Sequence, residues 1–216
     1  MSTYKKCHEV LLIRFFVLLV VFCILSGCST TLMTLKPEIN RPPSMAQIPL
    51  TVGVYYDTAF RSYEHRLIIM RYCFDFSLGK DSVALFDDIF PIVFERAVPV
   101  ISRPPLPPGG PMVSAVIEPK IDGFKVVHPW GLVGNYSVDI TYRFTLYTPE
   151  GDQIASSIFM GQGEKYSYLG GFSPYQAPRE AATLAMQEAV EKFMSEFPNL
   201  PQVEQCVRQA GVANAK

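Results

Sequence analysis

The reactive side chain that stands out in this sequence is the thiol of Cys28, at the end of the segment Leu25-Ser26-Gly27-Cys28. A nearly unbroken apolar run of about 11 residues, 15–25, leads into that segment. A helix needs roughly 20 residues to cross a hydrocarbon core, so this run is too short for a permanent span. A short apolar run behind a basic N-terminus is typical of a secretory signal peptide, and we expect residues 1–27 to be one. The basic residues before the run are Lys5, Lys6 and Arg14.

The four residues that end at Cys28 resemble the lipobox of bacterial lipoproteins, with every position of that motif filled in order. The resemblance implies that the Cys28 thiol carries a lipid, with palmitate as the expected acyl group, and that residues 1–27 are removed. Ser29 follows the cysteine. Because no aspartate follows to retain the protein at the inner membrane, the resemblance implies a lipid anchor in the outer membrane that faces the periplasm. An N-terminal anchor that is not cleaved is the alternative.

The charge of the mature chain bears on its partners. The signal peptide takes away three basic residues and one acidic residue, which leaves 16 basic and 19 acidic side chains and a net charge of −3. No long basic block remains, whereas proteins that bind nucleic acid concentrate Lys and Arg on one face. We therefore expect two partners, the membrane through the acyl groups and a protein of the cell envelope, and no nucleic acid.

Two further cysteines, Cys73 and Cys206, remain in the mature chain. In an oxidising compartment they can form a disulfide that ties the C-terminal tail to the sheet. Spacing alone does not establish the geometry that a disulfide requires. The alternative is two unpaired cysteines, one buried and one in a loose tail.

The mature chain is predicted to contain one folded domain. Residues 28–47 are expected to be a flexible tether, because Pro37, Pro42 and Pro43 disfavour both helix and central strand. Residues 48–200 form a single α+β periplasmic domain, and residues 201–216 are a polar C-terminal tail. The predicted fold is a single mostly antiparallel sheet with two helices packed on one face. Those helices are 82–98 and 178–197, and the second buries Phe193 in its apolar stripe.

The clearest strand prediction is a hairpin formed by residues 136–147 and 153–165. Apolar and polar residues alternate along the first strand, which is the period of a sheet covered on one side. The turn at 148–152 contains Pro149 and Gly151, which favour a tight reversal. If Tyr147 pairs with Gln153, Tyr136 lies opposite Glu164.

Side chains that perform catalysis in other proteins are present here without the necessary arrangement. His65 and His128 are far apart in sequence and lack nearby ligands at metal-site spacing. The adjacent carboxylates Asp87 and Asp88 point in different directions on a helix. Gly161-Gln162-Gly163 lies in a predicted strand and lacks the rest of a nucleotide-binding fingerprint. The sequence therefore predicts no catalytic residue, metal or cofactor.

Two loops rich in aromatic residues and glycine are the predicted binding feature. They span 128–135 and 166–175 and leave the same end of the hairpin, so their rings are expected to form one protein-binding patch. The alternative is that these rings fold back over the edge of the core. The proposed patch consists of Trp130, Tyr166, Tyr168, Phe172 and Tyr175.

The order of elements after the tether resembles that of small α/β envelope lipoproteins. These include the accessory lipoproteins of lipopolysaccharide assembly and the auxiliary lipoproteins of envelope transporters. The resemblance implies a non-catalytic accessory, assembly or binding subunit of a cell-envelope complex. The alternative is a periplasmic carrier of a lipid or small apolar ligand, which needs an unfilled apolar cavity between sheet and helices.

Overall fold

The computed structural model describes residues 29–39, 46–70, 72–168 and 175–214, with side chains from residue 30 to residue 210 within those ranges. The strands are β1 (Ser29–Met33), β2 (Ile48–Val54), β3 (His65–Ile69), β4 (Tyr72–Phe76), β5 (Phe94–Pro99), β6 (Ala115–Val127), β7 (Gly134–Tyr147) and β8 (Gln153–Ser167). The helices are α1 (Thr58–Arg61), α2 (Leu78–Val93), α3 (Gln176–Glu196) and α4 (Pro201–Asn214), with a 3₁₀ turn at Phe197–Asn199.

These strands form two mixed sheets, so the prediction of a single mostly antiparallel sheet with two helices is wrong. A large sheet has the order β5-β2-β6-β7-β8 and a small sheet has the order β1-β4-β3. In the large sheet β2 runs parallel to both β5 and β6, whereas β7 is antiparallel to both of its neighbours. In the small sheet β1 is parallel and β3 antiparallel to β4.

The predicted helix 82–98 is in fact a helix followed by a strand. Helix α2 begins at Leu78 and ends at Val93, two residues after the internal Pro91, and Phe94 starts β5. Phe94 and Ala97 continue the apolar spacing of the helix, and over so few residues a helical and a strand period cannot be told apart. Strand β5 was missed for this reason.

The core lies between the large sheet and helices α2 and α3. The ring of Phe144 on β7 stacks on Phe193 of α3 with centroids 4.1 Å apart, and it meets Phe86 of α2 edge-on at 5.1 Å. Phe90 and Phe159 complete the cluster, and Phe193 is fully buried as predicted. Aromatic rings in stacked and edge-on contact therefore fill the space between the sheet and both helices.

Two glycines let α3 approach β8 closely. A Cβ atom at Gly161 would overlap the carbonyl oxygen of Ala185, and one at Gly163 would overlap that of Ala181. The pair Gly161-Gln162-Gly163 thus has a packing role. The free edge of β8 is also covered by α3, because Glu188 accepts a hydrogen bond from the Gln162 N–H and Lys192 donates to the Met160 carbonyl.

Both chain ends contain more regular structure than the sequence suggests. The segment predicted as a tether contains β1, and the next residues dock on α2, where buried Asp81 accepts a hydrogen bond of 2.8 Å from the Leu35 N–H. The segment predicted as a polar tail forms α4, which buries Val203. These local sequences are polar and proline-rich, and contacts distant in sequence give them structure.

Candidate functional surface

The residue with the clearest chemistry, Cys28, lies outside the described residues, but its place in the chain is informative. Strand β1 begins at the next residue, with Ser29 paired to Tyr72 at the start of β4. The strand then runs away from Cys28 to Met33, which is buried. The chain therefore enters the fold at the Tyr72 end of the small sheet.

The two aromatic loops do leave one end of the β7–β8 hairpin. Gly134 pairs with Ser167, so the 128–133 turn lies beside the end of β8 and Tyr168. The predicted register is off by one residue, because Tyr136 pairs with Lys165 after an irregularity between Leu146 and Tyr147. Gly134 itself has φ 130°, a conformation that L side chains rarely adopt.

The rings of the predicted patch have different surroundings. Tyr175 packs inward, meeting Tyr72 edge-on at 6.0 Å and Phe74 at 5.4 Å, which matches the alternative of rings folded over the core. Tyr166 and Tyr168 lie 4.6 Å apart and are 48% and 72% exposed. Phe172 lies outside the described residues.

Trp130 projects fully into solvent beside the small sheet. Its neighbour Gly131 lies so close to Met70 that a Cβ there would be 3.6 Å from the Met70 methyl carbon. Met70 occupies the turn between β3 and β4 at φ 55°, the left-handed conformation used in tight hairpin turns, and is 74% exposed. The structure thus brings Trp130 to a hairpin that was not predicted, although the apolar residues 67–70 are typical of a strand.

A buried ionic cluster on β6 is a second feature that the sequence did not reveal. Glu118, almost fully buried, accepts a hydrogen bond of 3.1 Å from the Tyr147 hydroxyl and forms ion pairs with Arg103 at 3.3 Å and Lys120 at 3.4 Å. The Arg103 guanidinium also donates to the Tyr147 hydroxyl and lies over its ring. The cluster holds the proline-rich segment 101–113 on the sheet. The sequence signal for this cluster is the acidic Glu118 directly after the apolar Val116 and Ile117 in a strand.

Two of the remaining titratable candidates, His65 and Asp87, have structural surroundings. His65 packs edge-on against Phe124 at 4.9 Å, and burial lowers the pKa of its imidazole. Asp87 accepts a hydrogen bond of 2.8 Å from the Tyr56 hydroxyl, and burial together with that carboxylate raises the pKa of Tyr56. Asp88 and His128 are exposed. Within the described ranges, no three His, Cys, Asp or Glu side chains lie close enough to hold a metal ion.

The structure forms no disulfide between Cys73 and Cys206. Cys73 is buried in β4 of the small sheet, whereas Cys206 is half-buried in α4, and burial raises the pKa of the Cys206 thiol. A thiol with a raised pKa is less often in the thiolate form that forms disulfides. Their pairing in an oxidising compartment stays a prediction.

Among the helices that the structure describes, none combines the length and apolar character needed to cross a bilayer.

Comparison with known proteins gives structural neighbours only. No protein-family model matches the sequence, and no curated protein is significantly similar to it. A crystal structure of a DUF330-family protein from Xanthomonas campestris superposes with a TM-score of 0.48 at 10% identity, over 86% of this chain and 99% of that chain. A crystal structure of a candidate lipoprotein from Caulobacter crescentus superposes with a TM-score of 0.34 at 12% identity, over 46% of this chain and 71% of that chain.

Proposed function

We propose that this chain is a lipoprotein, acylated on Cys28 and anchored in the outer membrane on its periplasmic side. In this proposal it acts as a non-catalytic accessory or binding subunit of a cell-envelope complex. The observation that carries the proposal is the lipobox Leu25-Ser26-Gly27-Cys28, which directly follows the short apolar run 15–25 and the basic N-terminus.

The most buried carboxylates support a non-catalytic role. Asp81 holds the Leu35 backbone against α2, and Glu118 holds Tyr147 and two cations beneath the proline-rich segment. Each therefore makes a contact that holds part of the fold in place. A catalytic carboxylate instead has to be within hydrogen-bond reach of a substrate.

The proposed protein-binding surface is the exposed pair Tyr166 and Tyr168 at the end of β8. Tyrosine is enriched at binding hot spots, because its ring supplies a large contact area and its hydroxyl can still hydrogen-bond. The pair follows the part of β8 covered by α3, and the Lys165–Glu180 ion pair of 2.7 Å ties this end of the strand to the helix. Tyr166 thus lies on a strand that is tied to the helix, and Tyr168 follows directly after that strand.

The carrier alternative has less support than the binding subunit. A carrier needs open apolar space between the sheet and the helices, and in this chain Phe86, Phe90, Phe144 and Phe193 fill that space. A groove of about 770 Å³ lies instead beside the proline-rich segment and is lined partly by Glu150. Its lining mixes Leu106 and Met112 with Ser114 and Glu150, and it lies outside the space between the sheet and the helices.

Metabolic labelling with palmitate tests the anchor. The wild-type protein should incorporate label and lose residues 1–27, whereas Cys28→Ala should incorporate none. Cys206→Ala is the matched control, because it removes another thiol and should keep both labelling and cleavage. Label that persists in Cys28→Ala would refute the proposal, and membrane fractionation of the labelled protein would show whether the anchor is in the outer membrane.

Site-specific photocrosslinking tests the binding role. A photoreactive amino acid at position 168 should crosslink to one reproducible envelope protein in intact cells. Position 101 is the control, because Ile101 is 99% exposed but lies in the proline-rich segment far from the tyrosine pair. Equal crosslinking from both positions would argue against a partner at Tyr166 and Tyr168.

A further inference from the structure

The position of the acylated cysteine relative to the small sheet is closely constrained. Cys28 is one residue before Ser29, and one extended residue spans at most about 3.6 Å. Ser29 pairs with Tyr72, and Tyr72 pairs on its other side with Ile69. Neighbouring strands lie about 4.8 Å apart, so Ile69 is on the order of 10 Å from Ser29. An acyl chain on Cys28 therefore leaves the protein beside the turn between β3 and β4.

That turn and the loop next to it present apolar side chains to solvent. Ile68 is 60% exposed, Met70 is 74% exposed and Trp130 is completely exposed. Met70 lies against Gly131, which joins the two segments into one surface. We call Ile68, Met70 and Trp130 the tip surface.

The location of the tip surface favours lipid over a protein as its occupant. The bilayer that receives the acyl chains lies within about two strand widths of Met70, because the chain leaves the fold at the adjacent strand. Tryptophan is enriched where proteins meet the membrane interface, because its ring is apolar and its N–H is polar. Apolar area inserted into that interface adds to the binding given by acyl chains.

We propose that the tip surface inserts into the headgroup region of the membrane that holds Cys28 and so fixes the orientation of the fold on the bilayer. This inference rests on the proposed acylation, which places the membrane at this end of the protein. The turn of the β7–β8 hairpin at 148–152 then lies on the order of 45 Å from the Trp130 end, because β7 has 14 residues. The proline-rich segment would lie at the far end of that hairpin, since the Leu106 N–H donates to the Pro149 carbonyl in its turn.

The chain contains one tryptophan, so its fluorescence reports on Trp130 alone. The acylated full-length mature protein is reconstituted in vesicles of phosphatidylethanolamine and phosphatidylglycerol, with and without brominated acyl chains. We expect the emission to shift to shorter wavelength, to lose more than half its intensity to brominated lipid and to be protected from aqueous iodide. Met70→Ser should reduce the quenching by lipid, and Met112→Ser, a change of another exposed methionine at the far end, should not.

The double variant Trp130→Phe/Met112→Trp moves the fluorescent ring to the proline-rich segment. Its emission should stay accessible to iodide and insensitive to brominated lipid; quenching equal to that of Trp130 would overturn the proposed orientation. Mass spectrometry verifies acylation of the wild-type protein, and sedimentation verifies its binding to the vesicles. If the Trp130 emission of this protein is not quenched by brominated lipid, the inference is overturned but the proposed function is not. Protection from iodide without quenching by brominated lipid would also overturn the inference and indicate a second protein copy on the tip surface. Absence of acylation on Cys28 would instead refute the proposed function, and the inference with it.

Discussion

The middle of the β7–β8 hairpin and its open end differ in how their aromatic residues are used. In the middle, Phe144 stacks on Phe193 at 4.1 Å and both rings are fully buried. At the open end, Tyr166 and Tyr168 contact each other at 4.6 Å and remain largely exposed. One pair of strands therefore leads from buried, stacked rings to exposed rings.

The difference arises from what covers each part of the hairpin. Helix α3 lies directly on β8 where Gly161 and Gly163 leave room for its backbone. Beyond Gly163 the strand continues for four residues, and Lys165 reaches back to Glu180 at the start of the helix. Rings under the helix stabilise the fold, whereas rings beyond it are available for binding.

The strongest test of the packed region is truncation of Phe193. We expect Phe193→Ala to lower the free energy of unfolding by about 3–5 kcal/mol, because it opens a cavity among Phe90, Phe144 and Phe159. Chemical denaturation of both proteins measures the difference. Phe193→Leu keeps most of the volume and should cost less than about 1.5 kcal/mol. A denaturation midpoint of Phe193→Ala equal to that of the wild type would contradict the placement of this ring in the core.

The close approach of α3 to β8 is tested by adding one methyl group. Gly161→Ala should lower the free energy of unfolding by about 3 kcal/mol, since the new Cβ overlaps the Ala185 carbonyl and helix or strand has to shift. Gly123→Ala is the matched control in the same sheet, because a Cβ there meets nothing within 4 Å. Thermal melting of the two variants gives the comparison. A wild-type melting temperature for Gly161→Ala would mean that the helix does not lie this close to the strand.

The same contrast explains how much of the fold the sequence could predict. Strands predicted at 136–147 and 153–165 are found at Gly134–Tyr147 and Gln153–Ser167, because alternating residues on one covered sheet face leave a strong local signal. The predicted pairing was wrong by one residue. Ile154 has no partner between the pairs Tyr147–Gln153 and Leu146–Ala155, and a register that advances one residue at a time on both strands does not include such an extra residue.

The pairing of strands in the small sheet could not be predicted in the same way. Its three strands have five residues each, and β1 joins β4 across more than forty residues of sequence. The tip surface was missed with it, although Trp130 had been identified as a binding residue. Glu118 was missed because partners from other parts of the chain, Arg103 and Tyr147, determine its role.

Asp81 tests how firmly the segment after β1 is held. Asp81→Ala leaves the buried Leu35 N–H without its acceptor and should cost about 1–3 kcal/mol in unfolding free energy. Asp81→Asn keeps an acceptor oxygen and should cost much less. A loss of the same size in both variants would show that the Leu35 hydrogen bond is not what matters.

The pKa of Asp81 predicts the direction in which the stability of the fold changes with pH. Burial raises the pKa of the Asp81 carboxyl above its ordinary value of 3.8, so the folded protein holds this proton more tightly than the unfolded chain does. Its contribution to stability therefore falls as the pH rises from the ordinary value through the raised one. The free energy of unfolding of Asp81→Asn minus that of the wild type should therefore be larger at about pH 7 than at about pH 4. Denaturation midpoints of both proteins at the two pH values measure this change, and a difference independent of pH would contradict it.

The smallest effect on stability is expected at the open end of the hairpin. Tyr166→Ala and Tyr168→Ala should each change the free energy of unfolding by less than about 0.5 kcal/mol, because both rings are largely exposed. Each should nevertheless weaken the envelope partner identified by crosslinking by more than about 1 kcal/mol, as truncation of a hot-spot residue does. A melting curve and a binding titration on the same preparation separate the two effects. Loss of stability together with binding would mean that the tyrosines are packed like Tyr175, which meets Tyr72 and Phe74. Full binding by the folded double variant would show that the partner does not bind through these two rings.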